Sequence, residues 1–582
     1  MASQRTNKEA VELVQSAWTR ASKTQTDRNN AHIRLWQRYK SFNPNITDPY
    51  RSNIIYPKLY SIIETIVPRL GKALFGRRPY IPIKNEKAPD QAEAIEQALD
   101  SYLYRDKAKI TFIKALKLLG VFGTAFIEPY PAREIVTEKK MVQSQVYPWG
   151  QEMAKEQIPR FRLKNRLWAP WQVYPESKMT DLDSDGEVVL VETVSRKSVE
   201  KLQASGRYNK FDLSRADSGE AAEKDFVNTM LSSLNIDTAE QDDKHGILMR
   251  YMSNDRYITL WNGIDVLEDR KNPFEHGKIN LVRIVCNEDP MIQNSFWGQA
   301  EGKNIEPILD KLDETWNTTF DNHDLINQQM IAFHENAVDA EDIVAVGGIR
   351  IKIKGIWQRS IDDAIKKIDI AGLPSDFYNI ASVLSDFVDE SAGSYPPMRG
   401  DISEDKTTAT EISLASSHGD LRNELRTEII EGLGLSRLAD LSCSHIDQFA
   451  TLDDLYDEIG DPALEMMTAN PNQLPGGADY QFRGSDTFVN DFQKQADWRK
   501  VIEAHNSDPA ARPGAMLRET LRRHGLSDKE IDEKVYTEEE LMQMQAMAMQ
   551  QEERNAAMQA ANRGGGNSGG PAQVPTVANP AG

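Results

Sequence analysis

The sequence predicts an α+β protein, predominantly helical, with its strands segregated from its helices. Three observations carry this expectation. Apolar residues recur every three or four positions through the first 125 residues. Short apolar runs of strand character fill the span from 126 to 286. Beyond Ala300, two amphipathic helical patterns bracket a small β-rich stretch. At 582 residues, 40% hydrophobic and 27% charged, the chain has the composition of several packed units with cores of their own.

The elements follow in order. Residues 8–42 read as two polar helices, carrying Val11, Val14 and Trp18, then Ile33, Trp36 and Tyr39, with Asn43-Pro44-Asn45 as the stop. Asn53–Leu74 repeats the spacing at Ile55, Leu59, Ile62, Ile63 and Ile66, and Pro68 is expected to kink or end it. Ala92–Ala125 continues it through Ile95, Leu99, Tyr102, Phe112, Leu116 and Leu119. Phe126–Val136, Arg160–Val173 and Val188–Val194 read as strands, and Ser205–Asp243 as a polar loop. Gly246–Leu260 and Ile279–Cys286 add strand signal, with Asn262-Gly263 as a turn. Ala300–Gln329 is an amphipathic helix, Ile331–Ile370 is β-rich, and Pro374 suits the start of a helix over Ser375–Glu390. Ser391–Lys406 is a loop rich in Gly, Pro and charge. Thr407 begins another long helix that Gly432 and Gly434 would bend or stop. An acidic loop over 451–475, a helical module over 492–562 and a Gly-rich flexible tail over 563–582 complete the chain.

Charge is unevenly spread. The formal net charge of −20 divides into about +13 over residues 1–180, −13 over 181–360, −16 over 361–470 and −4 over the remainder. A uniformly basic nucleic-acid coat is excluded. So is a disulfide scaffold, because Cys286 and Cys443 are the only cysteines; reduced thiols in a cytosolic setting are expected. No signal peptide opens the chain, and no apolar stretch approaches the roughly 20 residues of a membrane helix, so no membrane partner is expected.

Catalytic signatures are absent: no phosphate-binding G-x-x-x-x-G-K-[ST], no H-E-x-x-H, no C-x-x-C and no G-x-S-x-G. The nine histidines form no ligand-spaced pair. Neither enzyme nor cofactor is expected. One template does match. Asp181, Asp183 and Asp185, followed by Gly186 and Glu192, have the spacing that surrounds a calcium ion with hard oxygens. The strand pattern over 187–193 argues instead for an acidic turn, leaving these four as a weak metal candidate. Asp453, Asp454, Asp457, Glu458 and Asp461 read as a solvated acidic loop. Arg34, Arg38, Lys40, Arg51, Lys58, Arg69, Lys72, Arg77 and Arg78, interleaved with Trp36, Tyr39 and Tyr60, suit either nucleic acid or the acidic segment of a neighbouring subunit.

Four local patterns, in this order, resemble the portal (head-to-tail connector) proteins of tailed bacteriophages. NIIYPKLYSIIETIVPRLGKALFGRRPYIPI looks like the helix that opens the portal body, and FIKALKLLGVFGTAFIEPY like its helix-to-strand step. FWGQAEGKNIEPILDKLDETWNTTFDN is similar to the first stem helix. GSYPPMRGDISEDKTTATEISLASS is similar to the loop and helix start after the second. These patterns cover most of residues 50–440.

The resemblance implies a self-assembled ring, usually a dodecamer, of wing, stem, clip and crown. Here the wing would be 1–295, stem helix one 296–330, the clip 331–373 and stem helix two 374–390. The tunnel loop would be 391–406, a long wing helix with its acidic loop 407–491, and the crown 492–562. The implied function is a conduit for double-stranded DNA at one capsid vertex of the virion, assembled in the host cytoplasm. Its implied partners are a terminase large subunit, major capsid and scaffolding proteins, and a tail adaptor. Asp376, Asp386, Asp389 and Glu390 would line the stem as a low-adhesion wall. In the tunnel loop, Tyr395, Pro396, Pro397 and Met398 would form a constriction, and Arg399 and Lys406 would touch phosphates. Two other readings compete: a metal-dependent nuclease using Asp181–Glu192, and a structural capsid or tail-adaptor subunit without a channel.

Overall fold

The structure, a computed structural model, describes residues 2–43, 51–84, 89–143, 151–184, 186–210, 245–288, 296–327, 331–338, 364–368, 376–393, 421–460 and 481–482, with isolated positions elsewhere. The chain divides into two units, Met1–Phe488 and Val489–Gly582, and the elements described below belong to the first. The module expected over 492–562, the tail and nearly all of the polar loop over 205–243 lie outside the described residues.

Where two polar helices were expected, one forms. Helix α1 (Ala2–Tyr39) contains no Gly or Pro, so nothing in it interrupts the backbone ladder. Its first half buries Ala10, Val14, Ala17 and Ala21 at helical spacing against a sheet. That sheet is an antiparallel meander, β4 (Val173–Pro175), β5 (Glu187–Ser195), β6 (His245–Ser253), β7 (Arg256–Trp261) and β8 (Asp265–Lys271), in that spatial order. The alanines let the helix approach the sheet closely over Val189, Val191, Ile258 and Leu260. Asn262 and Gly263 make the expected turn, both at positive φ (49° and 72°), where these residue types are tolerated. A short helix, α5 (Arg196–Ala204), follows β5.

Residues 51–57 form neither helix nor strand, and α2 (Lys58–Phe75) begins only after Pro57. Pro68 lies within α2 on its exposed side, and the helix runs on through it. The single pattern read over Ala92–Ala125 is two helices, α3 (Pro89–Arg105) and α4 (Ala108–Phe122). Lys107, at φ 55°, breaks them apart, and the adjacent Asp106 carboxylate accepts the backbone N–H of Asn165 at 2.8 Å. Gly123 (φ 82°) turns α4 into β2 (Thr124–Gln143). A Cβ there would stand 2.4 Å from the Gly298 carbonyl oxygen, so only glycine fits.

Strand β2 pairs antiparallel with β3 (Gln151–Trp168) from Phe126–Trp168 out to Gln143–Gln151, well beyond the expected strand ends. The base of this hairpin is buried, whereas Ile135, farther out, is 70% exposed. Strand β9 (Val282–Val285) adds to the other edge of β2. The main core lies between this sheet and α2, α3 and α4, around Leu59, Ile63, Leu99, Phe112, Leu119, Phe161 and Val282.

After turns over 300–305 come α6 (Glu306–Asn327), a two-stranded ribbon of β10 (Ile331–Phe333) and β11 (Ile365–Lys367), and α7 (Asp376–Ala392). Residues 421–429 (α8) are helical. Gly432 and Gly434 neither stop nor bend the chain out of helix; Ile430–Leu435 widens into one π-helical turn and continues as α9 (Ser436–Phe449). Gly434 there packs against Ile284 of β9. The acidic stretch begins as a helix, α10 (Leu452–Ile459), capped by Thr451 with Asp454 in a reciprocal box. Gln481–Phe482 pairs with Ile83–Lys84 as a short antiparallel ribbon.

Candidate functional site

Helices α6 and α7 form the candidate site, about 33 Å and 25 Å long at 1.5 Å per residue. They pack on each other. The far end of α6 returns to the start of α7, where Ile326 lies within van der Waals reach of Gly372. The β10–β11 ribbon sits at that end, in the register Ile331–Lys367 to Phe333–Ile365. The helix–β–helix arrangement expected from the sequence is therefore present among the described residues.

The other end of the pair is fastened to the body by charge. Arg38 of α1 ion-pairs with Asp310 and, at 2.9 Å, with Asp313, and Arg34 reaches Glu306 at 3.3 Å. Segment 51–57 lies along α6 as a polar ladder. The carboxylate of Asp321 accepts Ser52 N–H at 2.6 Å, Asn317 Oδ1 accepts Ile54 N–H at 2.8 Å, and Asp313 Oδ1 accepts Tyr56 N–H at 2.8 Å. Asn317 Nδ2 also donates to the Ile54 carbonyl at 2.9 Å. Four helical residues rise about 6 Å and two extended residues about 6.6 Å, so the two periods match.

Helix α7 is anchored through Lys58 Nζ, which donates to Asp389 Oδ2 and Ser385 Oγ, both at 2.8 Å. The Lys58 and Asp389 side chains are only 7% and 9% exposed. Asp389 is thus a correction to the expected lining set: it faces into the body of its own chain, because α7 buries Ala381, Val388, Asp389 and Ala392 on one side. The opposite side carries Ile380, Val383 and Phe387 at 47%, 46% and 51% exposure. Beside this apolar stripe runs an exposed polar edge of Asn379, Ser382, Asp386 and Glu390. Asp386 and Glu390 are exposed in the chain. Asp376 opens α7, but its side chain is outside the described residues, as are Tyr395, Pro396, Pro397, Met398, Arg399 and Lys406 of the tunnel loop. Sequence periodicity missed the two-faced character of α7, since the pattern at 377, 380, 384, 387 and 388 does not say which face the rest of the chain covers.

The metal-template residues separate. Asp181 folds back to accept the N–H groups of Asp183 and Ser184, both at 2.8 Å. Asp183 pairs with Arg437, whose guanidinium also donates to the carbonyls of Leu281 and Ile279 at 2.9 Å. Glu192 is buried and pairs with Arg166 and Arg250. Asp185 is not described, and among the described residues no group of three potential ligands comes together. Glu192 lines a cavity of about 840 Å³ between the β2–β3 hairpin and the five-stranded sheet. Each carboxylate in its wall meets a guanidinium: Glu128 and Glu192 meet Arg250, and Glu268 meets Arg270 at 2.8 Å.

The acidic run is also corrected. It is no solvated loop but a clamp on β3 and α3. Asp457 meets Arg160 at 2.8 Å, and Glu458 meets Arg162 at 2.7 Å and Arg105 at 2.9 Å. Burial acts against ionisation of Asp454, yet its hydrogen bonds from Thr451 and the Phe161 N–H prevail and hold its pKa below the ordinary value. Asp461 lies outside the described residues. Several basic residues of the N-terminal part are likewise engaged within the chain, Arg34, Arg38 and Lys58 as above and Arg78 with Asp100 at 2.7 Å. Both cysteines are free and buried, and burial pushes each thiol up to about 12. No helix among the described residues is long and apolar enough to cross a membrane. No protein-family model matches the chain, and no curated protein matches it either.

Proposed function

We propose that the chain is a phage portal subunit: a ring-forming, non-enzymatic conduit for double-stranded DNA during genome packaging and ejection. One observation carries this reading. Helix α7 is apolar on two opposite sides; its own subunit covers one, and Ile380, Val383 and Phe387 on the other are uncovered. A helix of this kind needs a second partner surface, and a closed ring of identical chains supplies one to every copy. With that stripe against the neighbouring subunit, the edge bearing Asp386 and Glu390 is the one free to face an axial hole.

The chemistry of such a wall follows from charge. Duplex DNA carries one negative charge per about 1.7 Å of axis, and a ring repeats each lining residue in every copy. A basic wall would hold the duplex; rings of Asp386 and Glu390 repel it and let it slide. In this reading Arg399 and Lys406, which lie outside the described residues, supply the few phosphate contacts, and the β10–β11 ribbon belongs to the part that meets a packaging motor and later a tail adaptor. The nuclease alternative loses support from the dispersal of Asp181, Asp183 and Glu192 to separate partners.

Electron microscopy of the purified chain is the direct test. A closed ring with an axial hole is expected, and Phe387→Asp is expected to yield monomers by light scattering. A wild-type protein that stays monomeric, or closes into a shell without a hole, overturns the proposal.

A further inference from the structure

We infer that the outer face of the α2–α4 pair is a separate, sequence-independent surface for the phosphate backbone of duplex DNA. The two helices are antiparallel: Phe75 stacks on Phe112 at 4.7 Å, and Ile63 packs on Gly120. Their exposed stripes adjoin, because Lys117 of α4 reaches Glu64 of α2 at 2.8 Å across the seam. From that pair towards the start of α4 the exposed charges of the face are all basic, with Pro68 and Ile110 between them. Lys114 and Lys107 belong to the α4 side, Lys72 and Arg77 to the α2 side, and all four are exposed with no side-chain partner among the described residues.

Little offsets them. Helices α2 and α4 together contain a single acidic residue, Glu64, and it is held by Lys117 and by the Tyr39 hydroxyl at 2.7 Å. The acids at the edges are engaged as well, Asp100 by Arg78 and Asp106 by Asn165. Lys107 and Lys114 stand about 10 Å apart along one helix face, and packed helices lie about 8–10 Å apart. The four charges therefore cover a patch of roughly that size on each side, over which a duplex presents several phosphates.

The residue types favour nucleic acid over an acidic protein. Three of the four cations are lysines, which protein–protein interfaces tend to exclude. A lysine is a compact, mobile point charge suited to phosphates in any register, whereas carboxylates are best matched by the planar fork of arginine. This surface is distinct from α6 and α7, so it does not depend on the conduit reading.

A covalently closed, relaxed circular duplex separates the two ideas, because it cannot thread a preformed ring and so reports only on outer surfaces. Filter binding of such circles to the full chain at 50 mM and 200 mM salt is the experiment. Wild type is expected to retain circles, with a log–log salt slope of about −3 to −4 for four contacts. Lys72→Glu/Lys107→Glu/Lys114→Glu is expected to lose at least tenfold in affinity, and Lys114→Ala alone to reduce the slope by about 1. Wild-type rings that do not retain circles, or variants that bind as wild type does, overturn the inference and leave the conduit reading standing. Displacement of the circles by polyglutamate as effectively as by duplex, at equal charge, also overturns it and reassigns the face to an acidic protein.

Discussion

At the scale of single residues, the Lys58–Asp389 pair is the most consequential contact, because it ties α7 to α2 with both charges buried. Removing one partner of a buried pair takes away the opposite charge that offsets the desolvation of the other. Lys58→Met is expected to cost about 3–5 kcal/mol in urea unfolding, while Lys58→Met/Asp389→Leu recovers most of that. Two buried histidines and one half-buried one supply a second prediction. Burial lowers the pKa of His32 to about 3, His276 to about 4 and His445 to about 3. His276 Nδ1 accepts the Lys278 N–H at 2.9 Å, and His445 Nε2 lies 2.9 Å from Asn280 Oδ1, contacts that suit neutral rings. Their folded pKa values lie below the unfolded value near 6.5, so the unfolded chain binds more protons in between. Stability is full above pH 6.5 and is lost as pH falls towards 4, about 1–2 kcal/mol per histidine by pH 5. His445→Gln, which keeps a donor towards Asn280, should flatten the fall in Tm between pH 6.5 and pH 5; an unchanged slope would contradict this assignment.

At the scale of elements, periodicity located most of the helices and strands but not their ends. The break at Asp106–Lys107 carries no Gly or Pro, and it is set by a left-handed residue and by a bond to Asn165, 59 positions away. Residues 51–57 have a helical apolar pattern, yet their backbone donors are taken by Asp313, Asn317 and Asp321 of α6, some 260 positions on. The acidic run over 453–458 was unreadable for the same reason, since its arginines lie on β3 and α3. Of the candidate site, the order helix–ribbon–helix and the exposure of Asp386 and Glu390 were legible, because they depend on local amphipathicity. The inward turn of Asp389 was not, because it depends on Lys58. The ladder offers its own test: Asn317→Ala removes two of its hydrogen bonds and is expected to destabilise the chain by about 1–2 kcal/mol. Amide exchange at Ile54 should accelerate in the same variant, and unchanged protection there would show that the ladder does not order this segment.

At the scale of the whole molecule, the uneven charge takes on a different meaning once pairs are drawn. Some of the N-terminal cations are paired with acid far along the chain: Lys58, Arg105, Arg160 and Arg162 with Asp389, Asp457 and Glu458, and Arg38 with Asp310 and Asp313. Two exposed groups of like charge stand out among the described residues: cations on the α2–α4 face and the carboxylates Asp386 and Glu390 on the edge of α7. If the chain assembles through Ile380, Val383 and Phe387, its Tm should rise with protein concentration, and Phe387→Asp should abolish that dependence. The polar ladder on α6 has a mechanical corollary. Its bonds lie across the helix axis, at Ser52, Ile54 and Tyr56 in succession, so a pull along α6 strains all of them together in shear instead of peeling them one by one. Because the two periods coincide only every 6 Å or so, α6 cannot creep along its strap by fractions of a turn; it holds its notch or skips a whole one.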